Sequence, residues 1–150
     1  MITYFADNIS AGMDRKNEGE DGTKAFFDKN VDLRKIFNIL NGHHDDCVIA
    51  HKDYNAVRES IKRQLAHIQI SSQEVNSLLN LLEATTSDIP SSTNKSELVD
   101  VSLYDHAKTT AGLAACIYDY FSAHDITDYR EALFSGEASR SFYAEPMFLL

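Results

Sequence analysis

The sequence predicts a mainly α-helical protein of about five helices with an irregular connector. Glycine and proline are scarce, with 6 and 2 residues in a chain of 150, which favours helices over a many-turned sandwich or barrel. Apolar residues recur at spacings of three and four in several segments, as on one face of a helix. Hydrophobic residues make up 43% and charged residues 25%, which are ordinary proportions for a globular domain with one core.

The first predicted helix covers residues 2–15. The apolar residues of its inner face recur every three or four positions: Ile2, Phe5, Ile9 and Met13. The charged, glycine-containing segment KNEGEDGTK follows, so residues 17–32 are predicted to form a flexible loop. We interpret FFDKNVDLRKIFNIL as irregular, with one helical turn or a short strand, and NGHHDD as a turn.

Two more helices are predicted in the middle of the chain. The first covers residues 54–68, and its apolar stripe consists of Val57, Ile61, Leu65 and Ile68. Ser71 and Glu74 match a capping box that would open the second, and Pro90 ends this region. Residues 86–101 then form a polar connector. Its PSSTN segment is either a loop braced by its own hydroxyls, which we prefer, or a contact surface.

The longest predicted helix lies in SLYDHAKTTAGLAACIYDYF, residues 102–121, with Ser102 as its cap and Asp105 at the third helical position. One stripe of this helix combines Leu103, His106, Thr110, Leu113, Ile117 and Phe121. A histidine on such a stripe is usually a buried residue that is hydrogen-bonded to a neighbour. The alternative is a metal-ligand role, which would need further ligands from elsewhere. A short helix is predicted over 127–134, with Gly136 as its stop.

The charge of the chain argues against a strong nucleic-acid footprint. The net charge is −9, and a field of that sign repels nucleic acid. Lys52, Arg58, Lys62 and Arg63 form a modest basic patch, which we interpret as the solvated face of a helix. The two cysteines match no CxxC motif, and neither a signal peptide nor an apolar run of transmembrane length is evident. We therefore expect a cytoplasmic protein without membrane contact.

One stretch resembles a known family. Residues 106–114 read H-A-x-x-T-A-x-L-A, which is similar to the first-histidine helix of the HD phosphohydrolase superfamily. The wider run I-P-S-S-T-N followed by D-V-S-L-Y-D-H-x-K-T-T-A-x-x-A closely resembles the large subunit of type III CRISPR effector complexes, subtype III-A. ADNISAGMDR at 6–15, LRKIFNIL at 33–40 and SFYAEPMFLL at 141–150 fit the same order. The resemblance thus covers nearly the whole chain.

The resemblance implies a partial, permuted HD-type helical domain. Residues 1–135 would be its rear part, and residues 136–150 would be a linker that ends at the first strand of a missing palm domain. His106 matches the late histidine of the HD core and Asp7 the aspartate that closes it, so both are candidate metal ligands. Asp105 would instead cap its helix. The family's His-Asp dyad before Asp7 and its GGDD palm motif do not occur, so no catalytic set is complete.

The tetrapeptide HHDD at 43–46 offers a second His-Asp pair, His44 and Asp45. It lies in an Asn-Gly turn, lacks an apolar helix before it, and comes at the wrong place in the family's order. We interpret it as a surface loop. The minority interpretations are adventitious metal binding and a stand-alone HD hydrolase.

We therefore expect a fragment of the large subunit of an RNA-guided antiviral complex. The resemblance implies that the parent cleaves single-stranded DNA at a divalent transition-metal site and makes cyclic oligoadenylates. The fragment alone should be inactive and bind no cofactor. Its partners would be other subunits of the complex or the missing part of the same subunit, and crRNA, target RNA and single-stranded DNA would be reached only through them. The alternatives are one half of a split subunit and a non-catalytic helical interaction module.

Overall fold

A computed structural model of the chain describes residues 1–14, 27–35, 47–69, 71–94 and 99–135. These residues form five helices and one two-stranded sheet: α1 (Ile2–Asp14), β1 (Leu33–Lys35), β2 (Cys47–Ile49), α2 (Tyr54–Leu65), α3 (Val75–Thr86), α4 (Leu103–Ala123) and α5 (Tyr129–Phe134). The predicted mainly helical class is confirmed. The chain divides into two compact units, one of residues 1–16 with 107–150 and one of residues 17–106. None of the described helices is both long and apolar enough to cross a bilayer.

The core of the first unit is built by α1, α4 and α5. Its buried residues are Phe5, Ala6, Ile117, Phe121 and Leu133. Ile117 and Phe121 are both 0% exposed, and both belong to the stripe predicted from the sequence. The ring of Phe121 stacks on that of Tyr129 with 5.4 Å between centroids. The short helix α5 is thereby held against α4 through aromatic contact.

A left-handed residue ends the long helix. Asp125 has a φ of 53°, a conformation that aspartate tolerates better than most residues other than glycine. The backbone N–H of Ile126 donates to the carbonyl of Phe121 at 2.9 Å, which satisfies one terminal acceptor of the helix. The Asp128 side chain then accepts hydrogen bonds from the backbone N–H groups of Arg130 and Glu131 and caps α5. Gly136 lies outside the described residues.

The second unit contains a small antiparallel sheet and the connector. Leu33 pairs with Ile49 and Lys35 with Cys47, and Leu33 is 1% exposed. The short-strand alternative for this part of FFDKNVDLRKIFNIL is therefore the one that forms.

Backbone hydrogen bonds join the connector to β1 and to the segment before it. Asp28 N–H donates to the Thr93 carbonyl at 2.9 Å and Arg34 N–H to the Val99 carbonyl at 2.8 Å. The side chain of Asn94, in the PSSTN segment, is buried, and its backbone N–H donates to Ser92 Oγ at 3.2 Å. Residues 27–32 of the expected flexible loop thus carry defined pairing, whereas residues 17–26 lie outside the described part.

The helices α2 and α3 form a helical hairpin. The Asp53 side chain accepts a hydrogen bond from Asn55 N–H and caps α2, none of whose residues is buried. α3 begins at Val75 and buries Leu81 and Thr86. The predicted capping box of Ser71 and Glu74 is wrong, because Glu74 is the N-cap and makes no side-chain cap bond. The backbone N–H of Glu74 instead donates to the Ser71 carbonyl at 3.1 Å, which forms a turn ahead of the helix.

Candidate functional site

The first turn of α4 is fixed by a side-chain cap. Ser102 Oγ accepts a hydrogen bond from Asp105 N–H at 3.0 Å and donates one to Asp105 Oδ2 at 2.7 Å. Ser102 is 3% exposed and Asp105 is exposed, so the serine side of this cap is shielded from water while the aspartate side reaches solvent. The predicted cap is confirmed, and Asp105 has the capping role that was expected of it. The cap sets where the helix begins and therefore which face carries His106.

His106 follows directly on this cap. Its backbone N–H donates to the Ser102 carbonyl at 3.0 Å, and its side chain is half-buried. Tyr104, two residues earlier, is buried at 8% exposure. The imidazole is therefore neither sealed in a core nor fully in water, which is compatible with a ligand role as well as with a packing role.

Thr110 lies one turn after His106 on the same stripe. It is 8% exposed, and its Oγ1 is the single buried side-chain polar atom without a hydrogen-bond partner in the described part of the chain. A threonine in a helix can donate to the carbonyl four residues earlier. Thr85 and Thr86 do so in α3, at 2.7 and 2.6 Å. The Thr110 hydroxyl differs from both and bears the cost of burial without that compensation.

Asp7 is exposed on α1, next to the buried Ala6. It belongs to the first unit, whereas His106 is the last residue of the second. The pairing of Asp7 with His106 therefore stays a prediction. His44 and Asp45 of the HHDD turn lie outside the described residues.

Within the five described ranges, no three histidine, cysteine, aspartate or glutamate side chains are gathered closely enough to hold an ion. The donors in these ranges therefore do not fit a divalent metal by themselves. A site that uses His106 would need ligands beyond them.

A histidine–carboxylate pair, His51 and Asp32, links the two strands at the end of the small sheet. Backbone N–H of His51 donates to Asp32 Oδ1 at 2.7 Å, and His51 Nδ1 lies 3.3 Å from the same oxygen. The backbone hydrogen bond, followed by the ring, lowers the pKa of the Asp32 carboxyl below its ordinary value of 3.8. Sequence reasoning missed this pair, because the two residues are 19 positions apart and no local pattern joins them.

Three curated proteins match the chain along nearly its whole length. They come from Enterococcus italicus, Streptococcus thermophilus and Mycobacterium tuberculosis, and are 36%, 35% and 38% identical to it over 178, 174 and 170 residues. Each is named as the CRISPR system single-strand-specific deoxyribonuclease Cas10/Csm1 of subtype III-A. The chain is homologous to a segment of Cas10/Csm1. No protein-family model matches it.

The Cas10/Csm1 alignments cover 98–99% of the chain but only 21–23% of the relatives. The chain therefore spans about a fifth to a quarter of the proteins that it resembles. This confirms the resemblance to the large subunit of type III-A complexes, drawn from the segment around His106 and from the flanking motifs. It also agrees with the interpretation of the sequence as a fragment of that subunit.

Proposed function

We propose that this chain supplies the rear part of the HD-type domain of a type III-A large subunit, with His106 as its contribution to a metal-dependent nuclease centre. Asp7 is the second candidate ligand. The rest of the centre, including the His-Asp dyad, would come from other parts of the same subunit or from a separately made half. The chain alone is inactive as a nuclease.

The alignment with Cas10/Csm1 over 98–99% of the chain carries this proposal. The relatives' name gives single-stranded DNA as the substrate class. The first turn of α4 adds support, because the cap of Ser102 and Asp105 fixes the backbone at His106 while the residue remains half-buried. A donor whose backbone is already fixed before the ligand arrives loses less entropy on binding.

A complementation assay tests the proposal. The purified chain is mixed with a Cas10/Csm1 relative that lacks the matching segment, and cleavage of labelled single-stranded DNA is followed with Mn²⁺. We expect no cleavage by either part alone, and cleavage by the mixture. His106→Ala should abolish the restored cleavage, whereas His67→Ala, at an exposed position after α2, should leave it intact.

Two results would overturn the assignment. One is metal-dependent cleavage by the chain alone, which would mean that it carries a complete centre. The other is full complementation by the His106→Ala variant, which would remove the imidazole from the nuclease centre. Circular dichroism of both histidine variants separates loss of a ligand from loss of folding.

A non-catalytic interaction module is the second candidate. It is favoured by large apolar side chains on the surface of the first unit, where Tyr4 is 63% exposed, Tyr118 54% and Phe134 48%. Exposed apolar groups in such number suit contact with another polypeptide. Association with the truncated relative without any restored cleavage would support this role instead.

A further inference from the structure

We propose that the helical hairpin of α2 and α3 docks an amphipathic helix from the part of the type III-A large subunit that this chain does not supply. The docking surface, called here the α3 strip, consists of Val75, Leu79 and Leu82. The proposal rests on the proposed function, because it names the surface through which the chain joins the rest of that subunit. It needs neither a metal nor His106.

The first argument is that the hairpin covers very little of its own apolar surface. α2 and α3 together contain eight valine, isoleucine and leucine residues, of which only Leu81 is buried. In the first unit, by contrast, Ile117 and Phe121 are completely covered by α1, α4 and α5. An amphipathic helix gains stability by burying its apolar stripe against another layer. A hairpin with one covered aliphatic residue therefore has an apolar side that a third helix would complete.

The second argument is the spacing of the α3 strip. Val75, Leu79 and Leu82 recur after four and three residues, so they lie along one line of the helix. Val75 is 47% and Leu79 37% exposed, and Leu82 is half-buried. Single apolar residues on a surface are common, but three in a line form a ridge that fits the groove of a second helix.

The residues around the strip indicate what kind of helix it would take. The neighbouring polar residues Asn76 and Asn80 are exposed and uncharged. Residues 52–88 as a whole contain four basic and five acidic side chains within a chain of net charge −9. The hairpin therefore lacks the acidic excess of the rest of the chain, and its partner needs an apolar stripe rather than a charged one.

The comparison with Cas10/Csm1 indicates where that helix comes from. More than three quarters of each relative lies outside the segment that the chain matches, so the larger part of such a subunit is available to cover the strip. A second copy of the chain is a poorer occupant. Each copy carries a net charge of −9, so two copies repel each other.

Site-specific photo-crosslinking tests the proposal in a full-length subunit. The segment of the Streptococcus thermophilus relative that matches the chain is exchanged for the chain itself, and the photoreactive p-benzoylphenylalanine replaces Leu79. We expect a crosslink from position 79 to a helix outside the exchanged segment. The same replacement at Asn80 is the matched control. It should give several-fold less of that crosslink, because successive residues of a helix point about 100° apart.

Hydrogen exchange gives a second measurement on the same proteins. Amide hydrogens of α3 should exchange with deuterium about tenfold or more slowly in the full-length subunit than in the isolated chain, because a docked helix covers the strip. The double variant V75N/L79Q should lose most of this protection, whereas N76Q/N80Q should keep it. Both replaced apolar side chains are exposed, so V75N/L79Q should leave the isolated chain folded, which circular dichroism checks.

Three results would overturn the proposal. They are equal crosslinking from positions 79 and 80, a crosslink from position 79 to a second copy of the chain, and equal exchange of α3 in the two proteins. His106→Ala in the full-length subunit should abolish cleavage of single-stranded DNA and leave the crosslink unchanged. Cleavage without the crosslink would therefore reject the docked helix alone, and cleavage by His106→Ala would reject the nuclease assignment alone.

Discussion

Lys52 Nζ lies 2.9 Å from Asp88 Oδ2, in a hydrogen-bonded ion pair between the residue before the α2 cap and a residue just after α3. The pair joins the two ends of the helical hairpin across 36 positions of sequence. The two side chains are 36% and 35% exposed, so water weakens their attraction without abolishing it. This ion pair, called here the clasp, links the ends of a hairpin whose first helix, α2, has no buried residue.

The clasp should contribute measurably to stability. Lys52→Met and Asp88→Asn should each lower the free energy of unfolding, with a coupling between them of about 0.5–1 kcal/mol. Urea denaturation of the two single variants and the double variant measures this coupling. The same cycle with Arg58 and Glu59, which are 64% and 59% exposed, is the control and should give a smaller value. A coupling free energy of zero between Lys52 and Asp88 would mean that the clasp does not contribute to stability.

Ser102→Ala should lower the free energy of unfolding by about 1 kcal/mol, because it removes the acceptor for Asp105 N–H and the donor to the Asp105 carboxylate. Thermal unfolding followed by circular dichroism measures the loss. Ser102→Thr keeps the hydroxyl and should recover most of the stability. If alanine proves as stable as serine, the cap does not hold the start of α4.

Thr110→Val should stabilise the protein. The Thr110 hydroxyl is buried without a partner, so exchanging it for a methyl group of the same shape removes a desolvation penalty of about 1 kcal/mol or more. Chemical denaturation gives the difference in free energy of unfolding.

Thr86→Val is the matched control, because Thr86 is also buried but donates to the Leu82 carbonyl at 2.6 Å. It should cost about 1 kcal/mol. Destabilisation by Thr110→Val of the same size as by Thr86→Val would show that the Thr110 hydroxyl has a partner in solution.

The hydrogen bonds between Asp32 and His51 should make the free energy of unfolding depend on pH in the acidic range. Because the pKa of the folded Asp32 carboxyl lies below the ordinary value of 3.8, its contribution is fully present above that value. It disappears as the pH falls through the lower folded-state pKa. Urea denaturation from pH 7 to pH 3 should show a constant stability gap between the unmodified chain and Asp32→Asn above about pH 5, and a shrinking gap below it.

A salt titration at pH 7 checks the cause of the Asp32 effect. The stability gap between the unmodified chain and Asp32→Asn should decrease less with added salt than the contribution of an exposed ion pair does. The reason is that the backbone hydrogen bond from His51 is the largest cause of the lowered Asp32 pKa. A gap that does not change down to pH 3 would contradict the lowered pKa.

Local patterns in the sequence located most of the helices. The serine cap of α4 was predicted correctly, because Ser102 and Asp105 satisfy each other within four residues. The similar pattern of Ser71 and Glu74 failed, since backbone turn formation at Ser71 takes precedence over a side-chain cap. The sheet could only be offered as an alternative to a helical turn, because strands of three residues carry no periodicity and their pairing is non-local.

Less of the candidate site than of the fold could be predicted from the sequence. The burial of Ile117 and Phe121 and the intermediate exposure of His106 follow from one helical stripe, so the sequence contains that information. The partnerless hydroxyl of Thr110 depends on which rotamer the side chain adopts, and a rotamer is set by packing rather than by residue type. The pairing of Asp7 with His106 remains a prediction that rests on family resemblance.

Because α2 has no buried residue, it should unfold locally more readily than α4. Amide hydrogens in α2 should exchange with deuterium through local fraying of the hairpin, whereas those of α4 beside Ile117 and Phe121 should exchange only with disruption of the core. Of these two helices, α2 is then the one that can adjust its backbone at the lower free energy.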